Sequence, residues 1–466
     1  MAEKHGQLDL LHGSLWKSVP LFAAPVAATS ILEQSSNLIG TLMIGHFSAD
    51  GGDVGMAAIG SNLPLTSLLI QLFVGLSLGA NVAIALAVGA GDAKRANRHA
   101  HTAIALSLTG VLVAVLMELF SRPMLQCLSV PPDAFEESLL FLRVYLIGIP
   151  AILLYDFEAA IFRSVGITRM PLVALAVSAA LNAVLDAVFV AMLGWGVAGV
   201  ALAMVIGYAA SAAYLFARLL TAEPAIRIKL SSIRIDRDSA RSIVRIGLPA
   251  GIQGAVFAIA NVLIQTCINS LGTQVVAASS AALTLEFICY SLLNSFSQAC
   301  TTFVGQNRGA GNFERCKKIL KVCLIEDGIV ALALIAFAVW QGRAVLSLFS
   351  SDADIVALGY VRICTIFPAY IFSMIYENIS GYLRGFSISL SPSLLTVLGV
   401  CGVRLAWVVA VFPANPTFAT IMTAYPASLG TTALLIAGAL ALLRPASAAQ
   451  RASRRAEELL SERADS

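Results

Sequence analysis

Asn182 and Asp186 are the residues whose types and spacing most directly suggest chemistry. They stand four residues apart in the apolar run 170–193, so on a helix they share one face. A carboxylate at the centre of a membrane-spanning helix costs about 2.5–3.5 kcal/mol, a cost that a bound cation or proton would offset. Carboxylate and amide oxygens suit a small hard cation such as Na⁺, while burial favours the protonated acid. The pair is a candidate cation-coupling site, with a hydrogen bond that only packs helices as the structural alternative.

A second acidic candidate lies in the apolar run 15–46. Glu33 and Asn37 are again four residues apart, and Gly40 falls on the same helix face. Glu33 stands two turns from Gly40, about 10 Å along the axis. We expect Glu33 and Asn37 to take part in cation coupling, and the alternatives are that Glu33 pairs with a polar neighbour or that it lies near the cytosolic mouth of the protein.

Two acidic–basic pairs recur with a spacing of seven residues, which places both members of a pair on one helix face. They are Asp156 with Arg163 and Glu377 with Arg384, and each arginine ends its apolar run. A helix-end anchor or a charge pair between helices is the structural interpretation. The functional interpretation is a gate at the cytosolic side, for which Asp156, Arg163 and Arg384 are the candidates.

Other polar and aromatic residues in the apolar runs could line a substrate cavity. Amides can donate and accept hydrogen bonds, aromatic rings can stack on flat cations, and buried carboxylates can attract them. Core or lipid-facing positions are the structural alternative for each residue. The expected cavity residues are Gln34, Gln253, Phe257, Asn261, Glu286, Tyr290, Tyr376 and Glu377.

The composition indicates which elements must position these residues. Of 466 residues, 58% are apolar and 12% are charged, and the mean hydropathy is +0.84. Soluble domains have about 25% charged residues, so a cytosolic enzyme, a disordered chain and a disulfide scaffold are excluded. An all-α integral membrane protein remains, because each span needs about 20 apolar residues. The predicted helices are 15–46, 54–88, 98–121, 137–162, 170–193, 196–220, 243–271, 275–304, 317–341, 357–383, 391–412 and 417–443.

The distribution of basic residues predicts the orientation. Twenty-five of the 30 Lys and Arg residues lie in the termini and in the loops on the same side. The positive-inside rule therefore places both termini in the cytoplasm, as an even number of helices requires. The predicted organisation is a cytosolic N-terminal segment (1–14), an amino lobe (15–220), a cytosolic linker (221–242), a carboxy lobe (243–443) and a cytosolic tail (444–466).

The two halves of the chain repeat each other. Arg163 matches Arg384 at an offset of 221, and GAGDAKR (89–95) matches GAGNFER (309–315) at an offset of 220. Each half holds six helices, so the halves share one topology and are related by a pseudo-twofold axis along the membrane normal. We expect the substrate site between them, near the midplane. The carboxy half has no carboxylate equivalent to Asp186.

Several segments resemble the MATE (multidrug and toxic compound extrusion) family over roughly 15–443. They are AVGAGDAKRANRHA, FRSVGITRMP, LNAVLDAVFV, GWGVAGVALAMVI, GLPAGIQG and VGQNRGAGNFERCKK. The resemblance implies twelve helices in two pseudo-symmetric six-helix lobes around a V-shaped cavity. It also implies antiport, in which Na⁺ or H⁺ enters while organic, often cationic, compounds leave.

The sequence departs from the family pattern at its acidic positions. Gly40 stands where many members carry an aspartate in helix 1, while Phe257 and Ser373 stand where another branch carries a glutamate and an aspartate. Asn182-x-x-x-Asp186 is similar to the amino-lobe cation site of DinF-like members. The resemblance therefore places coupling, including a Na⁺ site, in the amino lobe.

These observations together predict a secondary multidrug antiporter in the plasma membrane. We expect drugs or metabolites as cargo, contact with membrane lipids, no nucleic acid, a monomeric state and no cofactor besides the coupling ion. No nucleophile–base or metal-ligand pattern suggests an enzyme. The alternative is a flippase or exporter of a lipid-linked glycan or metabolite, which would favour a basic cavity, whereas the mid-helix charges are mostly acidic with Arg404 the main exception. A receptor or scaffold without transport would not require buried carboxylates.

Overall fold

In the part of the chain that the computed structural model describes, twelve helices are long and apolar enough to cross a membrane. The structure describes residues 7–47, 53–128, 130–349 and 352–464, and it has no strand among them. Every end of the twelve lies within six residues of the expected position, so the all-α fold class is confirmed. The helices are α1 (Leu15–Phe47), α2 (Asp53–Gly89), α3 (Ala93–Cys127), α4 (Phe135–Ser164), α5 (Arg169–Met192), α6 (Gly196–Leu220), α7 (Arg237–Asn269), α8 (Thr273–Gly309), α9 (Phe313–Leu346), α10 (Ala353–Gly385), α11 (Leu390–Ala414) and α12 (Phe418–Leu443), followed by the tail helix α13 (Pro445–Ala464).

Side-chain caps set the start of several helices. Asp236 precedes α7, and its Oδ2 accepts a hydrogen bond from the Ser239 amide at 2.9 Å. Thr417 precedes α12 and accepts from the Thr420 amide at 3.2 Å. Such caps satisfy amides that the first helical turn leaves without partners. At its other end α12 stops at Arg444, whose φ of 39° is left-handed, so the helix cannot continue straight into α13.

The sequence repeat is present in the backbone. Gly91 after α2 and Gly311 after α8 have φ of 71° and 76°, and the amide following each donates to the carbonyl five residues back. Gly166 after α4 and Ser387 after α10 have φ of 85° and 58°, and each donates to the carbonyl three residues back. Equivalent positions therefore form the same tight turns, for which glycine is preferred at left-handed φ.

Interrupted helices are a further shared feature. The last six residues of α5 form a π-helical segment, Ala187–Met192, directly after Asp186. At nearly the equivalent place α11 has the π-helical segment Trp407–Val411, and it has another at Val397–Gly402. Such segments often mark functional sites, because the wider turn redirects side chains.

The contacts divide the chain into two compact units. The amino unit contains residues 28–84 and 93–255, and the carboxy unit contains 8–27, 85–92 and 256–466. In the carboxy unit the first half of α1 packs on α8, with the rings of Phe22 and Phe303 5.6 Å apart. The division thus crosses α1, α2 and α7, and the lobe boundaries expected from the sequence stay a prediction.

Glycines allow a close approach of α2 and α7 in the amino unit. Gly75 and Gly79 form one G-x-x-x-G pattern, and Gly247 and Gly251 form another. A Cβ atom on Gly75 would stand only 2.1 Å from the Gly251 nitrogen. Small residues at this spacing let two membrane helices pack backbone to backbone.

Candidate functional site: buried charges in the two units

Asp186 and Asn182 lie in the interior of the amino unit, on α5. Asp186 is 0% exposed and Asn182 is 3% exposed. Within the described residues, both carboxylate oxygens of Asp186 and both polar atoms of the Asn182 amide lack a hydrogen-bond partner. The packing hydrogen bond offered as the structural alternative is therefore not formed between them. Buried polar groups are nearly always satisfied, so this pair calls for a proton, a cation or water.

Residues of α1 and α6 pack beside this pair. A Cβ atom on Gly40 would lie 4.0 Å from Asp186 Oδ2 and 2.7 Å from Val200 Cγ1, and a Cβ atom on Gly207 would lie 3.6 Å from the Asn182 Cβ. The position where many family members carry an aspartate is thus beside Asp186, and here Val200 occupies the adjoining space. The carboxylate and amide oxygens supply three acceptors that fit a small hard cation.

Glu33 lies near a different group of charges, formed by Asp156 and Arg163. Its carboxylate and that of Asp156 both lie within electrostatic range of the Arg163 guanidinium. Glu33 is half-buried, while Asn37 lies in α1 with a side chain outside the described part of the structure. The expected roles of Glu33 and Asn37 in coupling therefore stay predictions. The placement favours the alternative in which Glu33 pairs with a polar neighbour.

The equivalent acidic–basic pair of the carboxy unit, Glu377 and Arg384, forms an ion pair and a hydrogen bond. Arg384 Nη1 lies 4.0 Å from Glu377 Oε2, and the Tyr290 hydroxyl donates to Glu377 Oε1 at 3.2 Å. Tyr376, the residue before Glu377, is only 1% exposed. The structure thus joins two expected cavity residues, Tyr290 and Glu377, to the expected gate residue Arg384.

Glu286 has a permanent basic partner that the sequence did not indicate. Arg362 binds both its carboxylate oxygens, with Nε–Oε1 at 2.5 Å and Nη2–Oε2 at 3.0 Å, and also donates to Ser279. Arg362 is 1% exposed and Glu286 is 4% exposed. Glu286 therefore presents no free negative charge to a cationic cargo. The available signal was a basic residue at the sixth position of the apolar run 357–383.

Asn261 and Phe257 both contact a second buried arginine, Arg404 on α11. Arg404 Nη1 donates to Asn261 Oδ1 at 2.7 Å, and its Nε donates to Ser428 Oγ at 3.3 Å. The guanidinium carbon lies 5.2 Å from the centre of the Phe257 ring and 4.3 Å from that of Tyr425. Two expected cavity residues are thus brought together by a residue that had no assigned role.

The remaining candidates are dispersed. Gln34 is exposed and Gln253 is 9% exposed, both in the amino unit. Glu158 on α4 was missed, although it is 0% exposed and neither carboxylate oxygen has a partner among the described residues. In the carboxy unit the buried Asp327 accepts a hydrogen bond from Asn378. The signal for Glu158 was a third acidic residue in the run 137–162, two positions after Asp156.

Twelve apolar helices with repeated turns, and carboxylates buried inside them, define a multi-pass membrane protein of duplicated design. The chain belongs to the MatE family, whose family model matches residues 25–188 and 249–410. Members of this family are transporters, so the chain is a transporter and not an enzyme.

Individual relatives cover more than two thirds of the chain. It is 24% identical over 436 residues to the "Probable multidrug resistance protein YoeA" of Bacillus subtilis, which covers 91% of this chain and 93% of that protein. It is 27% identical to the "FAD transporter" of Shewanella oneidensis, with coverage of 72% and 77%. A solved outward-facing multidrug resistance MATE family transporter matches with a TM-score of 0.86 and 21% identity, covering 97% of this chain and 99% of that one.

Proposed function

We propose that this transporter exports organic, often cationic, small molecules in exchange for Na⁺ or H⁺, as a multidrug exporter. The observation that carries the proposal is the fully buried Asp186 carboxylate, which lacks a hydrogen-bond partner among the described residues. The name of the Bacillus subtilis relative supports the choice of cargo. Buried carboxylates in membrane helices commonly mark ion pathways, because their burial must be offset by an ion or a proton.

Exchange follows from competition between two ligands. Cation binding at Asp186 and Asn182 and drug binding each lower the affinity for the other, and this coupling is reciprocal. Entry of the cation therefore promotes release of the drug outside. The repeated halves then alternate access by moving about the substrate site, as in other transporters built from repeats.

The setting of the proposed exchange follows from the charge distribution. We place the protein in the plasma membrane. Its two termini would lie in the cytoplasm, because 25 of the 30 basic residues are in the termini and in the loops on the same side of the membrane. The basic loops after α2 and α8 would then face anionic lipid headgroups. The proposed working unit is a monomer.

Ethidium efflux from proteoliposomes tests the proposal under separate Na⁺ and H⁺ gradients. Asp186→Asn keeps the shape of the side chain but removes its charge, so it should abolish efflux driven by the coupling ion. Glu118→Gln is the matched control, because Glu118 pairs with Arg143 at 2.9 Å on a partly exposed face of the amino unit. It should pump as the wild type does. Normal pumping by Asp186→Asn under both gradients would refute coupling at α5.

A second candidate function is export of a metabolite. One observation favours it: Arg404 is a buried positive charge, which suits an anionic cargo better than a cationic drug. The name of the Shewanella oneidensis relative is consistent with such a cargo. Efflux of flavin nucleotides without efflux of ethidium would favour this candidate.

A further inference from the structure

Arg404 is a buried cation near the middle of α11. It is 2% exposed, and it stands ten residues before the end of the helix at Ala414, about 15 Å along the axis. An arginine at the centre of a membrane helix costs about 2.5–3.5 kcal/mol on insertion scales. A group that offsets this cost is therefore expected nearby.

The charges around Arg404 do not balance. The Tyr425 ring lies 4.3 Å from the guanidinium carbon of Arg404 and 5.6 Å from that of Arg362. Glu286 neutralises Arg362 through two contacts. In the described residues no carboxylate lies within 4.0 Å of Arg404, so this cluster of two arginines and one glutamate holds one uncompensated positive charge.

The partners of Arg404 are all neutral. Asn261 and Ser428 accept one hydrogen bond each, and the rings of Phe257 and Tyr425 contribute cation–π attraction. A guanidinium has five N–H donors, and the two named hydrogen bonds use two of them. Arginine is the residue best suited to bind planar anions such as carboxylates and phosphates, because its donors form a fork.

The surroundings indicate a binding site more than a packing contact. Arg404 lies in the short α-helical stretch Val403–Ala406, between the two π-helical segments of α11. The equivalent helix α5 carries Asp186 next to its own π-helical segment. Asn261 is exposed on the surface of the carboxy unit, and Phe257 and Tyr425 are half-buried, so the cluster reaches the surface there.

We propose that Arg404 binds a carboxylate or phosphate group of the cargo, with Phe257 and Tyr425 beside it to contact an attached aromatic ring. The subsite deepens the proposed export function and rests on it. It means that zwitterionic or anionic aromatic compounds belong to the cargo range as well as cations. A lipid phosphate is the other source of the same chemistry.

Equilibrium binding to the purified full-length chain tests the subsite without any ion gradient. Fluorescence polarisation would follow carboxyfluorescein, an anion, and ethidium, a cation, in nanodiscs of neutral lipid. Arg404→Gln should weaken carboxyfluorescein binding by at least about tenfold, as expected when hydrogen bonds to a charged group are removed. Ethidium binding should change less than carboxyfluorescein binding does. Arg143→Gln removes an equal charge from the partly exposed pair with Glu118 and should leave both affinities unchanged.

Two further arms complete the test. Displacement of carboxyfluorescein when phosphatidylglycerol replaces part of the neutral lipid would assign the site to a lipid phosphate, and its absence would assign the site to cargo. If Arg404→Gln does not purify as a single species, Arg404→Lys decides, because a lysine keeps the charge but not the fork. It should lower the carboxyfluorescein affinity alone.

Unchanged carboxyfluorescein binding, or an equal loss of both probes, would overturn the subsite. A failure of the proposed export function is a separate result, because it would appear as absent ethidium efflux in proteoliposomes while the binding difference at Arg404 remained.

Discussion

The close approach of Gly40 and Val200 allows a direct test of whether the amino unit can hold a carboxylate on α1 beside Asp186. Gly40→Asp would restore the residue that many family members carry, beside Asp186. A Cβ atom at that position would stand 2.7 Å from Val200 Cγ1, whereas carbon atoms in contact prefer about 3.5–4.0 Å. The single substitution therefore forces Val200 to move, and overpacking of this kind costs about 1–3 kcal/mol.

Val200→Ala removes the methyl group that causes the clash. We expect Gly40→Asp and Val200→Ala each to destabilise the protein, and the double variant to be more stable than the sum of the two predicts. The favourable interaction should be at least about 0.5 kcal/mol, as for other side chains in contact. Unfolding of the four proteins in detergent measures this double-mutant cycle.

The double variant should also respond more strongly to Na⁺. Its second carboxylate would lie close to Asp186, since the Cβ alone is 4.0 Å from Asp186 Oδ2. Two neighbouring carboxylates favour a bound cation, and a ligand that binds the native state raises its stability. The Na⁺-dependent rise in melting temperature should therefore exceed that of the wild type. Additive energies together with an unchanged Na⁺ response would refute the proposed geometry of the site.

Three further substitutions test other parts of the structure. Arg362→Met leaves Glu286 as an uncompensated buried charge and should cost about 3–5 kcal/mol in unfolding experiments, whereas the double variant with Glu286→Gln should cost much less. Gly75→Ala should reduce the yield of folded protein because its Cβ would meet the backbone of α7, whereas Gly60→Ala, which has open space around it, should not. Hydrogen bonds from Ser239 hold the pKa of Asp236 below its ordinary value of 3.8, so the contribution of this cap is present above that pH and lost as the pH falls. The difference in melting temperature between the wild type and Asp236→Ala should therefore shrink below about pH 4.

Features that depend on neighbouring residues along the chain could be predicted. The length of each apolar run determines whether a helix can cross a bilayer, so twelve helices followed from composition and spacing. The left-handed turns at Gly91 and Gly311 lie in the segments GAGDAKR and GAGNFER, which the sequence repeat had placed at equivalent positions of the two halves. Asp186 was expected to be buried, because a single carboxylate in a long apolar run has no way to reach water.

Partners across helices could not be predicted. Glu286 and Arg362 are 76 residues apart and Asn261 and Arg404 are 143 residues apart, so no local pattern links them. Glu286 was expected to attract cationic cargo because its charge was counted without its partner. Its expected place in a cavity stays a prediction, but its charge is already satisfied.

The resemblance to the MATE family implied transport, and the amino-acid sequence by itself determined that this protein is a twelve-helix membrane protein with a repeated design and an acidic residue buried in α5. Those properties arise from hydrophobicity and helical spacing, which act over short stretches of chain. Only the tertiary structure decided which buried charges are neutralised and which are not. That outcome depends on the rotation and packing of helices far apart in sequence, because a charge inside a membrane protein is compensated by whatever group the neighbouring helix places within a few ångströms of it.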